Sequence, residues 1–221
     1  MATKQAKRTA QVPAQRGGTG TTARRLLERA GTTYAAEAGI TLADKPSPLY
    51  RLLTMSVLLS TRIKAGIALS ATRELKGFGT PRRMREATWQ QRVDALVRGH
   101  YRRYDESTAT ALGQGADLMH QRYGDDLRKL RAEADGDPRA VRRLLQEFPR
   151  LGPVGADIFC REAQGVWPEL RPYFDRKALQ SAERIGLPTD PDGLAKLVRA
   201  DDLDRFAAAL IRVDLEPDLL G

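Results

Sequence analysis

The chain has 221 residues, with 37 Lys and Arg against 28 Asp and Glu, a formal charge of +9, and 41% hydrophobic residues. This composition suits one medium domain or two small ones sharing a core, and it excludes a disordered chain. One cysteine, Cys160, and two histidines exclude intrachain disulfides, four-cysteine zinc sites and four-cysteine iron–sulfur clusters.

Residues 1–21 are Gly, Thr, Gln and Ala with Lys and Arg, and they predict a disordered basic arm. From there on the apolar positions follow a helical period and nowhere alternate as in a half-buried strand, which predicts an all-α fold. The spacing places helices near 22–38, 48–60, 63–76, 81–86, 88–98, 105–123, 138–147, 154–164, 176–185, 192–199 and 202–213. Ser47-Pro48, Thr80-Pro81, Asp137-Pro138 and Asp190-Pro191 each set a capping side chain before a proline at the first helical position. Helix 48–60 is apolar nearly all round and is expected at the centre of the fold. Leu112, Ala116, Met119 and Tyr123 make one apolar stripe, and Phe206, Ala209, Leu210 and Val213 another. The EADGD segment at 133–137 is the expected boundary between two helical halves.

Charge is unevenly spread. Residues 1–34 carry seven cations against the single acid Glu28, and a second cluster runs Arg82, Arg83, Arg85, Arg92, Arg98, Arg102, Arg103. From Leu187 onward eight acids face four bases. Such polarity favours an oriented approach to a polyanion such as nucleic acid. No apolar run approaches the roughly 18 residues that a membrane helix needs, and the basic N-terminus lacks the apolar core of a secretory signal.

The informative stretch is 144–187. A short helix ends at Phe148, a Pro-Arg-Leu-Gly-Pro turn follows, and a second helix starts near Val154. So short a turn exposes the second helix's first amides, where unpaired N–H groups and the helix dipole favour an anion. Gly152 and Gly155, lacking Cβ atoms, would let a sugar–phosphate backbone come close.

FPRLGPVGADIF, followed at about fifteen residues by FDRKALQSAERIGL, resembles the helix-hairpin-helix DNA glycosylases of the endonuclease III superfamily. Phe148, Pro149, Leu151, Gly152 and Ala156 match the hairpin, and Asp175 falls on the catalytic aspartate. Upstream, PLYRLLTMSVLLSTR resembles the family's buried helix ending in Leu-Leu-Ser-x-Gln, so the likeness covers roughly residues 46–187. It implies two helical halves with a cleft between them: 46–135 as a helical barrel, and 22–45 with 136–221 as the half carrying the hairpin (148–155) and Asp175. It implies double-stranded DNA as partner, base flipping, and hydrolysis of the N-glycosidic bond of a damaged base. Asp175 would stabilise the oxocarbenium ion and activate water. Arg62, in the position of the family's Gln, would fill the gap left by the flipped base. Gly99-His100-Tyr101-Arg102-Arg103-Tyr104 would supply a second wedge, with His100, Arg102, Arg103 and Tyr104 touching DNA. Arg150, Gly152, Val154 and Gly155 would hold a phosphate. The carbonyls of Gln146, Phe148 and Leu151 match those that hold a sodium or potassium ion in the family. A monomer in the cytoplasm, associated with the nucleoid and free of membranes, is expected.

Three departures qualify the carry-over. Val154 stands where bifunctional members have the Schiff-base lysine, so strand cleavage is not expected; Lys177, two residues past Asp175, is the one candidate for a substitute amine and is expected to point to solvent. Arg150 replaces the first hairpin glycine. The iron–sulfur loop is absent, which leaves the cluster-free branch and makes Cys160 a packing residue. A non-catalytic protein that binds bent or damaged DNA is the main alternative, an RNA-binding helical protein a weaker one. A carboxylate facing the sugar is what separates the enzyme from the binder.

Overall fold

The computed structural model describes residues 18–215. Among them are no strands and thirteen α-helices: α1 Thr19–Ala30, α2 Tyr34–Glu37, α3 Pro46–Leu59, α4 Ala65–Glu74, α5 Pro81–Glu86, α6 Trp89–Arg98, α7 Asp105–Tyr123, α8 Arg128–Glu133, α9 Pro138–Leu145, α10 Pro153–Ala163, α11 Arg176–Arg184, α12 Pro191–Ala195 and α13 Leu203–Leu215. The arm expected over 1–21 lies outside the described residues except for its last four, and Thr19 already opens α1.

Local signals set most boundaries. The Thr80, Asp137 and Asp190 side chains each accept a first-turn amide, as the sequence predicts. Ser47 does not: α3 begins earlier, with Pro46 in its first turn, and the Ser47 hydroxyl donates to the Gly79 carbonyl at 2.9 Å. The single helix expected over 22–38 is two. Gly31 ends α1, where a Cβ would lie 2.3 Å from the Leu27 carbonyl oxygen, and Thr33 caps α2. Helix α8 is an addition; its six residues carry too little periodicity to stand out.

Helix α3 is the central element, buried from Leu49 through Leu58 except at Arg51's flank. Helices α3 to α7 pack mainly on one another; α1 lies on α13, and α10 and α11 also pack on α13. The two groups meet where α10 crosses α3. Buried apolar side chains from Ala23 to Val213 form one continuous cluster, so the halves share a core. At their junction beside the hairpin, Tyr50, Val57, Leu112 and Phe148 help to line a hollow of about 20 Å³, room for a single water. No described helix is long and apolar enough to cross a membrane.

Candidate functional site

The hairpin comprises α9, a tight turn and α10. Within the turn the Leu151 amide donates to the Phe148 carbonyl at 3.0 Å, and Arg150 takes the left-handed conformation at φ 61°. That region strongly favours glycine, which is the physical reason a glycine suits the position. Gly152 caps α10 without a side-chain partner, and Pro153 follows. The first helical bond runs from Ala156 to the Gly152 carbonyl. The amides of Gly152, Val154 and Gly155 therefore have no acceptor among the described residues, and the dipole of an eleven-residue helix stands behind them.

The two glycines part company here. A Cβ at Gly152 meets nothing within 4 Å, so an anion has a clear path to the backbone. Gly155 is buried; a Cβ there would sit 2.7 Å from Leu151 Cδ1 and 3.3 Å from Ser60 Cβ. Its missing side chain serves the crossing of α10 over the end of α3, which corrects the sequence-based reason given for it. Val154 is 60% exposed at the tip.

Three segments separated in sequence meet on this face. The Tyr101 ring is fully buried, and its hydroxyl pairs with Thr61 Oγ1 at 2.8 Å, tying the loop after α3 to the 99–104 loop. Arg62 and Arg102, the next residues in each loop, are exposed. Arg150 donates to Ser107 Oγ at 2.6 Å, and its guanidinium lies 5.6 Å from the centre of the Tyr104 ring. Arg103 lies 5.3 Å from the same ring. Exposed His100, at φ 64°, forms the bend that ends α6. These contacts, with Ser60 beside Gly155, bring together the segments that carry Arg62, His100, Arg102, Arg103, Tyr104 and Arg150, next to the start of α10. Burial removes Tyr101 from any stacking role.

The arginine cluster of 82–103 does not act as one patch. Arg92 turns inward and donates to the carbonyls of Met84, Ala87 and Ala109, capping the end of α5. Arg82 pairs with Glu86, Arg85 with Asp125 and Arg98 with Glu74.

At the other end of α10 the polar groups are enclosed. Asp175 caps α11, with Oδ1 accepting the Ala178 amide at 2.9 Å, while Oδ2 is ion-paired with Arg161. Both side chains are nearly inaccessible, 7% and 5% exposed. Gln164, fully buried, exchanges hydrogen bonds with the Tyr173 backbone and so fixes the segment leading into Asp175. Glu162, also fully buried, accepts the amides of Tyr34 and Ala35 at 3.3 and 2.8 Å, and burial raises its pKa. Between the two ends, Asp157 accepts the Tyr173 hydroxyl at 2.6 Å and Arg142 Nε at 2.5 Å, which pins α9 to α10. Burial pushes the Cys160 thiol up to about 12, in keeping with a packing residue. Lys177 is half exposed with Nζ 3.7 Å from Asp214.

Arg161, Glu162 and Gln164 escape a sequence reading focused on motifs. One signal was present: Glu162 falls on the Gly155–Phe159 stripe of α10, where a charge must be buried and partnered.

No family model and no curated protein matches the chain. A non-covalent endonuclease III–DNA complex is similar in structure, with a TM-score of 0.50 and 15% identity over 88% of this chain and 85% of that one. A trapped covalent endonuclease III–DNA intermediate covers the same shares at 15% identity with a TM-score of 0.49. The chain therefore has the all-α fold of endonuclease III.

Proposed function

We propose that this protein is a DNA glycosylase that grips duplex DNA through the hairpin and hydrolyses the N-glycosidic bond of a damaged, flipped base without cutting the strand. The observation that carries the reading is the open N-terminus of α10 within this fold: three acceptorless amides, an unobstructed Gly152, and exposed Arg62 and Arg102 on loops tied to the same face. These groups suit a phosphodiester backbone, where neutralised phosphates dominate affinity and make it salt-dependent. Asp175 is the carboxylate for the oxocarbenium ion, held next to the hairpin helix by Arg161. Val154 offers no amine for a Schiff base, which supports hydrolysis alone.

The carbonyls of Gln146, Phe148 and Leu151 are an all-oxygen set fit for an alkali-metal ion. The Phe148 carbonyl already accepts one turn amide, and the other two accept no hydrogen bond from a described residue. Such an ion would add positive charge beside the phosphate; no step of the chemistry passes through it.

One observation favours a second reading, a non-catalytic binder of bent or damaged duplex. Both Asp175 oxygens are engaged, and its side chain is 7% exposed. A panel of duplexes carrying alkylated, oxidised or deaminated bases separates the two. The enzyme releases a base from at least one duplex, and Asp175→Asn abolishes release while duplex binding persists. Binding without release from any member establishes the second reading, and a borohydride-trapped adduct overturns the absence of lyase chemistry.

A further inference from the structure

The exposed cations of the hairpin face sit on loops, and loops that order only on binding weaken affinity. Here the loops are already tied. Tyr101 is fully buried and its hydroxyl meets Thr61 Oγ1 at 2.8 Å, so Arg62 and Arg102 each follow a residue of one fixed pair. On the other side Arg150 reaches from the hairpin turn to Ser107 Oγ at 2.6 Å and lies over the Tyr104 ring. Arg150 does so from a left-handed backbone at φ 61°, a conformation that costs a long side chain of its kind and suits glycine, Asn or Asp. A strained residue that commits its side chain to a bridge points to a role for the bridge.

We propose that Tyr101 and Arg150 are positioning residues that lock three segments, the loop after α3, the 99–107 stretch and the hairpin turn, into one pre-ordered clamp for the backbone of duplex DNA. Tyr101 acts from beneath the surface and touches no ligand. Arg150 acts as a strut toward Ser107 and Tyr104 and is not one of the phosphate contacts; those are Arg62, Arg102 and the amides at the start of α10. The inference rests on the duplex-DNA reading above and adds what sets the geometry of that surface.

A positioning residue and a phosphate contact leave different marks on salt dependence. Losing one phosphate contact lowers the slope of log K against log salt by about 0.9, whereas loosening the clamp lowers affinity at an unchanged slope. Duplex affinity is therefore measured against salt for the wild-type chain, Tyr101→Phe, Arg150→Gly and, as a direct contact, Arg102→Ala. Glycine adopts the left-handed conformation freely, so Arg150→Gly removes the strut without adding strain. Both positioning variants are expected to bind roughly threefold to tenfold more weakly, the scale of one hydrogen bond, at the wild-type slope. Arg102→Ala flattens the slope. Amide exchange across residues 61–64 and 101–107 is expected to quicken in the free Tyr101→Phe and Arg150→Gly chains, a readout that needs no DNA and that general destabilisation would not confine to those segments.

Wild-type affinity with unchanged exchange in both variants overturns the lock. A flattened slope in Arg150→Gly makes Arg150 a phosphate contact and overturns the strut. If the wild-type chain itself shows no salt-dependent duplex binding, the DNA reading fails and the clamp with it, an outcome distinct from wild-type binding that the variants leave untouched.

Discussion

The two ends of α10 use the same helix in opposite ways. At the N-terminus, Gly152, Val154 and Gly155 leave their amides without acceptors, and Val154 projects into solvent. At the C-terminus, Arg161, Glu162 and Gln164 are buried and bound to Asp175, to the start of α2 and to the Tyr173 backbone. The open end is costly for a helix and useful for an anion. The closed end pairs its buried charges, since a lone buried charge is strongly unfavourable, although Arg161 Nε finds no acceptor among the described residues. The difference shows that one end of a helix can keep its backbone amides open while the other end is fixed by the fold, and it places the candidate carboxylate on the fixed side.

The comparison can be broken most severely at the closed end. Arg161→Ala leaves Asp175 buried without its counter-ion, and urea unfolding at pH 7 should show a loss of about 3 kcal/mol or more. A loss below about 1 kcal/mol would mean that the pair is solvated and the end is not closed. At the open end the two glycines should diverge. Gly155→Ala forces a methyl group against Leu151 and Ser60, at a cost of roughly 1–3 kcal/mol. Gly152→Ala should leave stability within about 0.5 kcal/mol while weakening duplex binding, because a methyl group there crowds a phosphate that approaches the backbone closely.

Glu162 sharpens the contrast through pH. Burial raises its folded-state pKa above the ordinary carboxylate value. The folded chain thus holds this proton more tightly than the unfolded one, so Glu162's contribution is fully present below the unfolded pKa and is lost as pH rises through the folded value. Thermal midpoints over that window should fall more steeply with pH in the wild-type chain than in Glu162→Gln; parallel curves would remove the assignment. Val154→Lys, like Gly152→Ala, should leave stability within about 0.5 kcal/mol, at an exposed site. Its readout is a duplex-binding salt slope steeper by about 0.9.

Much of this was written in local sequence. Thr80, Asp137 and Asp190 start their helices because a cap needs only an amide two or three residues away. The apolar run of α3 had no face to give to water, so its burial followed, and the hairpin followed from Pro and Gly at close spacing. The break at Gly31 was also legible, with Thr33 set to cap α2, but periodicity alone runs straight through it.

Other features depend on partners far away along the chain. Arg92 and Arg102 look equivalent in sequence, yet one caps the end of α5 from within and the other faces solvent. Tyr101 and Tyr104 sit in one motif, and only the meeting of the loop after α3 with the 99–104 loop sets Tyr101 against Thr61. The charge of +9 and the single cysteine bounded the kind of protein from the outset. Which cations remain free to meet an anion was decided by tertiary structure, because an ion pair or a carbonyl contact depends on distance in space. Asp175 shows both sides: its neighbours along the chain made it a helix cap, and Arg161, fourteen residues earlier, closed it in.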